Sequence, residues 1–156
     1  MCIPEISLAR SIQYGNYKQH RASAFLYIDI LKNNIKYIKE FIKLPKRLSF
    51  VFRPIRGAEG LAYYIQHKDL PRDYIVEIDA RQDLLSFKNT LLHELVHIEQ
   101  FSQGRLKDAG TKYFKWLGRE MLIDISSMDV YNQLPWEAEA NSRAQSLQEI
   151  VFKELS

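Results

Sequence analysis

A chain of 156 residues, 46% hydrophobic and 26% charged, is long enough for one domain with its own apolar core, and a second domain is not expected. No stretch approaches the roughly 18–20 uninterrupted apolar residues of a membrane span, so no membrane partner is expected. Cys2 is the only cysteine, which excludes an internal disulfide and any thiolate-rich metal site. The first fifteen residues carry Glu5 and Arg10 and lack a signal-peptide pattern, so the expected location is the cytoplasm.

The formal net charge of +3 is unevenly spread: residues 1–57 hold 11 Lys/Arg against 3 Asp/Glu, and residues 58–156 hold 11 against 16. A solvated basic helix face followed by acidic site chemistry accounts for this more simply than a nucleic-acid contact, which stays a secondary expectation.

Phe25, Ile28, Leu31, Ile35, Ile38 and Phe41 recur at steps of three and four, with Lys32, Lys36, Lys39 and Lys43 on another side. This periodicity predicts an amphipathic helix from about Ser23 to Leu44, stopped by Pro45. Three runs rich in aromatic or β-branched residues follow, Leu48 to Phe52, Leu61 to Gln66 and Tyr74 to Asp79, and read as strands of one sheet. From Ser86 to Gln103 the apolar residues surround the helix axis almost completely, which predicts an interior helix with Ser86 capping its start and Gly104 closing its end. Tyr113 to Trp116 and Arg119 to Ile123, joined by Leu117-Gly118, could form a hairpin or one helix, and the hairpin is preferred. A last helix starts at Pro135, where a missing N–H costs nothing, and runs close to the C-terminus. The expected fold class is α+β: a small antiparallel or mixed sheet, a buried helix and a C-terminal helix in a single domain over residues 1–156.

The buried helix carries His93-Glu94-Leu95-Val96-His97, an HExxH arrangement. Residues four apart share a helix face, so the two imidazoles can grip one Zn2+. Glu94, about 100° round the axis, reaches a water at the metal instead and suits the role of general base and acid in hydrolysis. Two histidines and a glutamate on an otherwise apolar helix would be costly to bury unpaired, which weighs against a pair of surface histidines.

A catalytic zinc needs a third protein ligand and an open position. Beyond His97 the chain has no histidine and no cysteine, so a downstream ligand must be a carboxylate. Stepping 100° per residue along the last helix puts Glu137 beside Ala140, Ala144, Leu147, Val151 and Leu155, and Glu139 with Ser142, Ser146, Glu149 and Lys153. Glu137 is therefore the expected ligand, Glu139 the alternative, and in the bland reading both merely favour the helix N-terminus.

HELVH followed some forty residues later by Glu137-Ala138-Glu139-Ala140-Asn141 resembles the gluzincin branch of zinc metallopeptidases, whose second helix supplies a Glu-x-x-x-Asp element. The stretch around Leu134-Pro135-Trp136-Glu137-Ala138-Glu139-Ala140 is also similar to metallopeptidases encoded in bacteriophage genomes, which would place the protein in a host cytoplasm. The resemblance covers about Thr90 to Ala144 and implies a zincin-like fold, peptide-bond hydrolysis of a protein or peptide substrate, and zinc ligands His93, His97 and Glu137. It makes Glu94 the catalytic base and Asn141 the counterpart of the aspartate supporting a ligating histidine, with a neutral bond in place of a charged one. SprT-like and Spartan-like proteases and metzincins fit less well: the former use a third histidine and often a zinc ribbon, and Gln103 stands where metzincins place a histidine.

A tetrahedral oxyanion usually needs a donor beside the metal, and Tyr131, His67 and Arg143 have the chemistry, with Tyr131 preferred. If the strand Tyr74 to Asp79 lies along the cleft edge, an extended peptide could add to it as one more strand. The competing expectation is a non-catalytic structural or interaction module in which zinc staples two helices and the basic first helix offers a contact for nucleic acid.

Overall fold

The computed structural model describes residues 5–8, 17–66, 73–110, 112–123 and 126–152, with side chains from Ala24 onward. In chain order the elements are β1 (Glu5–Leu8), α1 (Tyr17–Phe41), β2 (Arg47–Phe52), β3 (Gly60–Ile65), β4 (Asp73–Ile78), α2 (Leu84–Ser102), β5 (Leu106–Asp108), β6 (Tyr113–Trp116), β7 (Arg119–Leu122), α3 (Met128–Asn132) and α4 (Pro135–Val151). This is an α+β arrangement with a mixed four-stranded sheet, ordered β1-β2-β4-β3, and an antiparallel three-stranded sheet, β5-β6-β7. No helix among the described residues is long and apolar enough to cross a membrane.

β1, β2 and β4 run parallel, and β3 pairs antiparallel with β4 from Gly60↔Ile78 to Ile65↔Asp73. β4 alternates or saturates its burial because it lies inside the sheet, whereas β3, at the edge, leaves Leu61, Tyr63 and Ile65 partly exposed. The strand Tyr74 to Asp79 is therefore interior, and among the described residues it is β3 that lies at this end of the sheet.

Helix α1 buries Leu31, Ile35 and Ile38 of its expected stripe, joined by Tyr27 and Ile30, while Phe25 and Phe41 point outward at 63% and 42% exposure. Tyr27 instead stacks on Phe87 of α2 with ring centroids 4.0 Å apart, a contact that local periodicity does not reveal. Helix α2 is capped by Asp83, whose carboxylate accepts the Ser86 N–H at 2.8 Å, so the cap lies three residues before the expected Ser86. Its end matches expectation: Gly104 takes φ +73 and donates its N–H to Phe101 O at 3.0 Å.

The hairpin reading of 113–123 also holds. Leu117 and Gly118 both have positive φ, 51° and 83°, as a two-residue turn matched to the strand twist requires. Phe114 and Trp116 from β6 pack on Trp136 at centroid distances of 5.6 and 6.3 Å, so the small sheet braces the first turn of α4. α2 packs against α4, β3 and β4, which brings the middle of α2, the start of α4 and the β3 edge together.

Asp79, just after β4, ties down the segment that leads to β3. Its carboxylate accepts the Ile55 and Arg81 N–H groups at 3.0 and 2.8 Å and the Arg81 guanidinium at 2.7 and 3.0 Å. Burial alone would raise this carboxyl, but the bonds from Arg81 and the two backbone donors win and hold it below the usual range. A depressed folded pKa contributes stability that is present above the unfolded value and lost as pH falls through the folded one. Asp79→Asn should therefore unfold with about 1–3 kcal/mol less stability at neutral pH and show a shallower acid limb in urea titrations repeated down to about pH 2.

Candidate metal centre and active site

His93 and His97 stand one turn apart on α2, and their Nε2 atoms lie 3.0 Å from each other. Glu137, in the first turn of α4, reaches across with Oε2 3.2 Å from His93 Nε2 and Oε1 3.2 Å from His97 Nε2. These three residues form the group among the described residues that could hold a metal ion, with their ligand atoms all within 4.8 Å of one another. Ligands of a tetrahedral zinc at about 2.0–2.1 Å are roughly 3.3 Å apart, so the cluster needs only small adjustments to receive one. Two imidazole nitrogens and a carboxylate also suit a borderline cation such as zinc by their chemistry.

The electrostatics agree with this geometry. Burial favours a neutral Glu137, yet the hydrogen bonds and charge of His93 and His97 hold its carboxyl well below the ordinary range. Burial likewise opposes a charged His97, but Glu137, Glu94 and Gln100 together raise its pKa. Glu137 is 4% exposed, on the same buried face as Ala140, Ala144, Leu147 and Val151. Glu139 is turned away: it binds Arg105 at 2.8 and 2.9 Å and Gln100 at 2.5 Å, and so is not part of the metal-competent group.

Glu94 is 7% exposed, lines the same cleft, and has no hydrogen-bond partner among the described residues. Burial raises its pKa, an effect that the neighbouring His97 and His93 only partly oppose. Its side chain thus lines the cleft beside the metal-competent group.

Gly60 makes room for it. A Cβ at this position would lie 2.6 Å from Thr90 Cγ2 and 2.8 Å from Glu94 Cγ, closer than side chains approach. Gly60→Ala should push Glu94 or the β3 edge aside and lower the urea-derived unfolding free energy by about 1–3 kcal/mol. An unchanged midpoint would show that the edge yields freely.

The cleft holds about 630 Å³ and runs between the β3 edge, α2 and α3. Phe101, Leu106, Phe114 and Trp136 form an apolar wall, while Glu59, Asn89 and Asn132 supply polar rim groups. Tyr131, on the short helix α3, lines this cleft and donates its hydroxyl to Glu137 Oε1 at 2.8 Å; burial and the Glu137 charge raise its pKa.

The other expected helpers lie elsewhere. Arg143 binds Glu99 Oε1 at 2.5 Å and the Phe41 carbonyl at 2.8 Å, tying α4 to α2 and the end of α1, and does not line the cleft. His67 lies outside the described residues. Asn141 borders the cleft and is exposed, with no bond to either histidine. Support for His97 comes instead from Gln100, whose Oε1 is 2.9 Å from His97 Nδ1. Gln100 is three residues along the same face of α2, a signal present in the sequence but hidden among apolar neighbours. A scan against protein-family models, a search of curated proteins and a search of solved structures each found no match to this chain.

Proposed function

We propose that this chain is a zinc-dependent peptidase with a zincin-like, gluzincin-type site, acting on a protein or peptide. The observation that carries the proposal is the meeting of Glu137 with His93 and His97 at 3.2 Å beside Glu94, which lines the same cleft. His93, His97 and Glu137 would hold the ion, which when bound supplies a Lewis acid that acidifies water and polarises a carbonyl.

The chain's own residues supply the remainder. Glu94 would take a proton from the attacking water and return it to the departing amine. Tyr131 holds one Glu137 oxygen in place from the α3 side of the cleft, and its hydroxyl would serve an oxyanion there by exchanging that acceptor for the substrate oxygen. Where β3 borders the cleft, from Gly60 to Ala62, an extended peptide could lie alongside it, and the Phe101, Leu106, Phe114 and Trp136 wall suits an apolar side chain next to the cleaved bond.

Metal removal tests the proposal. Purified protein incubated with unfolded protein substrates should cleave them, lose that activity with a chelator, and regain it on addition of one equivalent of zinc. A lower melting temperature after chelation, with no cleavage before or after it, would support the helix-stapling alternative and overturn the peptidase reading.

A further inference from the structure

His97 can offer Nε2 to a cation only if that nitrogen carries a lone pair, and a neutral imidazole must then keep its proton on Nδ1. Which nitrogen is protonated is decided on the far side of the ring. Nδ1 is 2.9 Å from Gln100 Oε1, and Gln100 is 0% exposed, so no water can replace this partner.

The Gln100 amide cannot turn round. Its Nε2 faces the Trp136 carbonyl at 3.1 Å and the Glu139 carboxylate at 2.5 Å, and both are acceptors. Reversing the amide would set its oxygen against these two oxygens and its NH2 against His97. Glu139 is held in turn by Arg105 Nη1 at 2.8 and 2.9 Å, which keeps its oxygens aimed at Gln100.

We infer that Arg105, Glu139 and Gln100 form a one-way chain of hydrogen bonds that holds His97 as the Nδ1–H tautomer, its Nε2 lone pair facing His93 and Glu137. Gln100 is thus a positioning residue for a metal ligand, and Glu139 serves the site from outside the ligand set. The use of this tautomer rests on the reading that His93, His97 and Glu137 hold zinc, but the tautomer itself does not. A bare Nε2 can accept from the Nε2–H of a neutral His93 at 3.0 Å, whereas on the sealed Gln100 side a bare Nδ1 would face an oxygen lone pair with nothing between them.

Two measurements on the full chain test this. In metal-free, 15N-histidine-labelled protein at alkaline pH, long-range 1H–15N correlations should show His97 protonated at Nδ1. Gln100→Leu should shift His97 towards the Nε2–H form and weaken zinc binding, measured by chelator competition, by about 10–100-fold. Glu139→Gln, at a position with its side chain 30% exposed and so less prone to misfolding, should weaken zinc several-fold and give a tautomer mixture, because its amide no longer dictates how Gln100 is turned. Wild-type His97 protonated at Nε2, or tautomer and affinity both unmoved in Glu139→Gln, would overturn the inference. If wild type shows the Nδ1–H form but takes up no zinc, the hydrogen-bond chain stands and the metal reading falls. If it binds one zinc per chain with a tautomer indifferent to Glu139→Gln, the reverse holds.

Discussion

Glu94→Gln is expected to keep its zinc and to lose peptide cleavage by a factor of about 10²–10⁴, the range over which a positioned general acid–base group acts. The amide has nearly the size of the carboxylate, and Gly60 and Thr90, which pack against the Glu94 stem, can accept it unchanged. What is lost is the capacity to take a proton. Glu94 is not one of the three residues in the metal-competent group, so the ion's affinity should change little. Elemental analysis and a cleavage assay on the same preparation make the comparison. Cleavage at the wild-type rate would rule out the proton-transfer role, and simultaneous loss of zinc would make Glu94 a ligand instead.

Glu137→Gln should have the opposite signature, with zinc content falling from one per chain towards zero. The carboxylate touches both imidazoles, is almost wholly buried, and supplies the negative charge that offsets a dication. Removing it should cost more affinity than the about 10–100-fold that outer hydrogen-bond partners typically contribute. Glu139→Gln should retain the ion, since Glu139 lies with Arg105 and Gln100 and not at the metal-competent group. Zinc lost equally from both variants would show that the two glutamates act as one unit.

Much of the candidate site was readable along the chain because its parts are local. The four-residue spacing of His93 and His97 needs only the helical repeat to place both rings on one face. The same repeat separates Glu137 from Glu139, since Ala140, Ala144 and Leu147 mark the buried face on which only Glu137 lies. The interior character of α2, the left-handed Gly104 and the Leu117-Gly118 turn follow from side-chain size and backbone freedom within a few residues.

Other features were not readable because they depend on how distant segments meet. Whether β3 or β4 forms an edge is a matter of strand order, to which the alternation within each strand is blind. That α1 turns Phe25 and Phe41 outward and seats Tyr27 on Phe87, sixty residues away in sequence, follows from tertiary contact. β1, β5 and α3, at 4, 3 and 5 residues, are too short for a periodic signal, yet α3 delivers Tyr131 to Glu137.

Residue order alone therefore determined the three long helices, the two imidazoles and the acid that turns inward, because a helix's faces are properties of consecutive residues. Tertiary packing decided which groups surround them: Gln100 in the supporting place expected of Asn141, Arg143 drawn off to Glu99, and Glu139 bound to Arg105. The physical reason is that a hydrogen bond between elements requires both backbones to be placed to within a few tenths of an ångström, and only the folded chain places them.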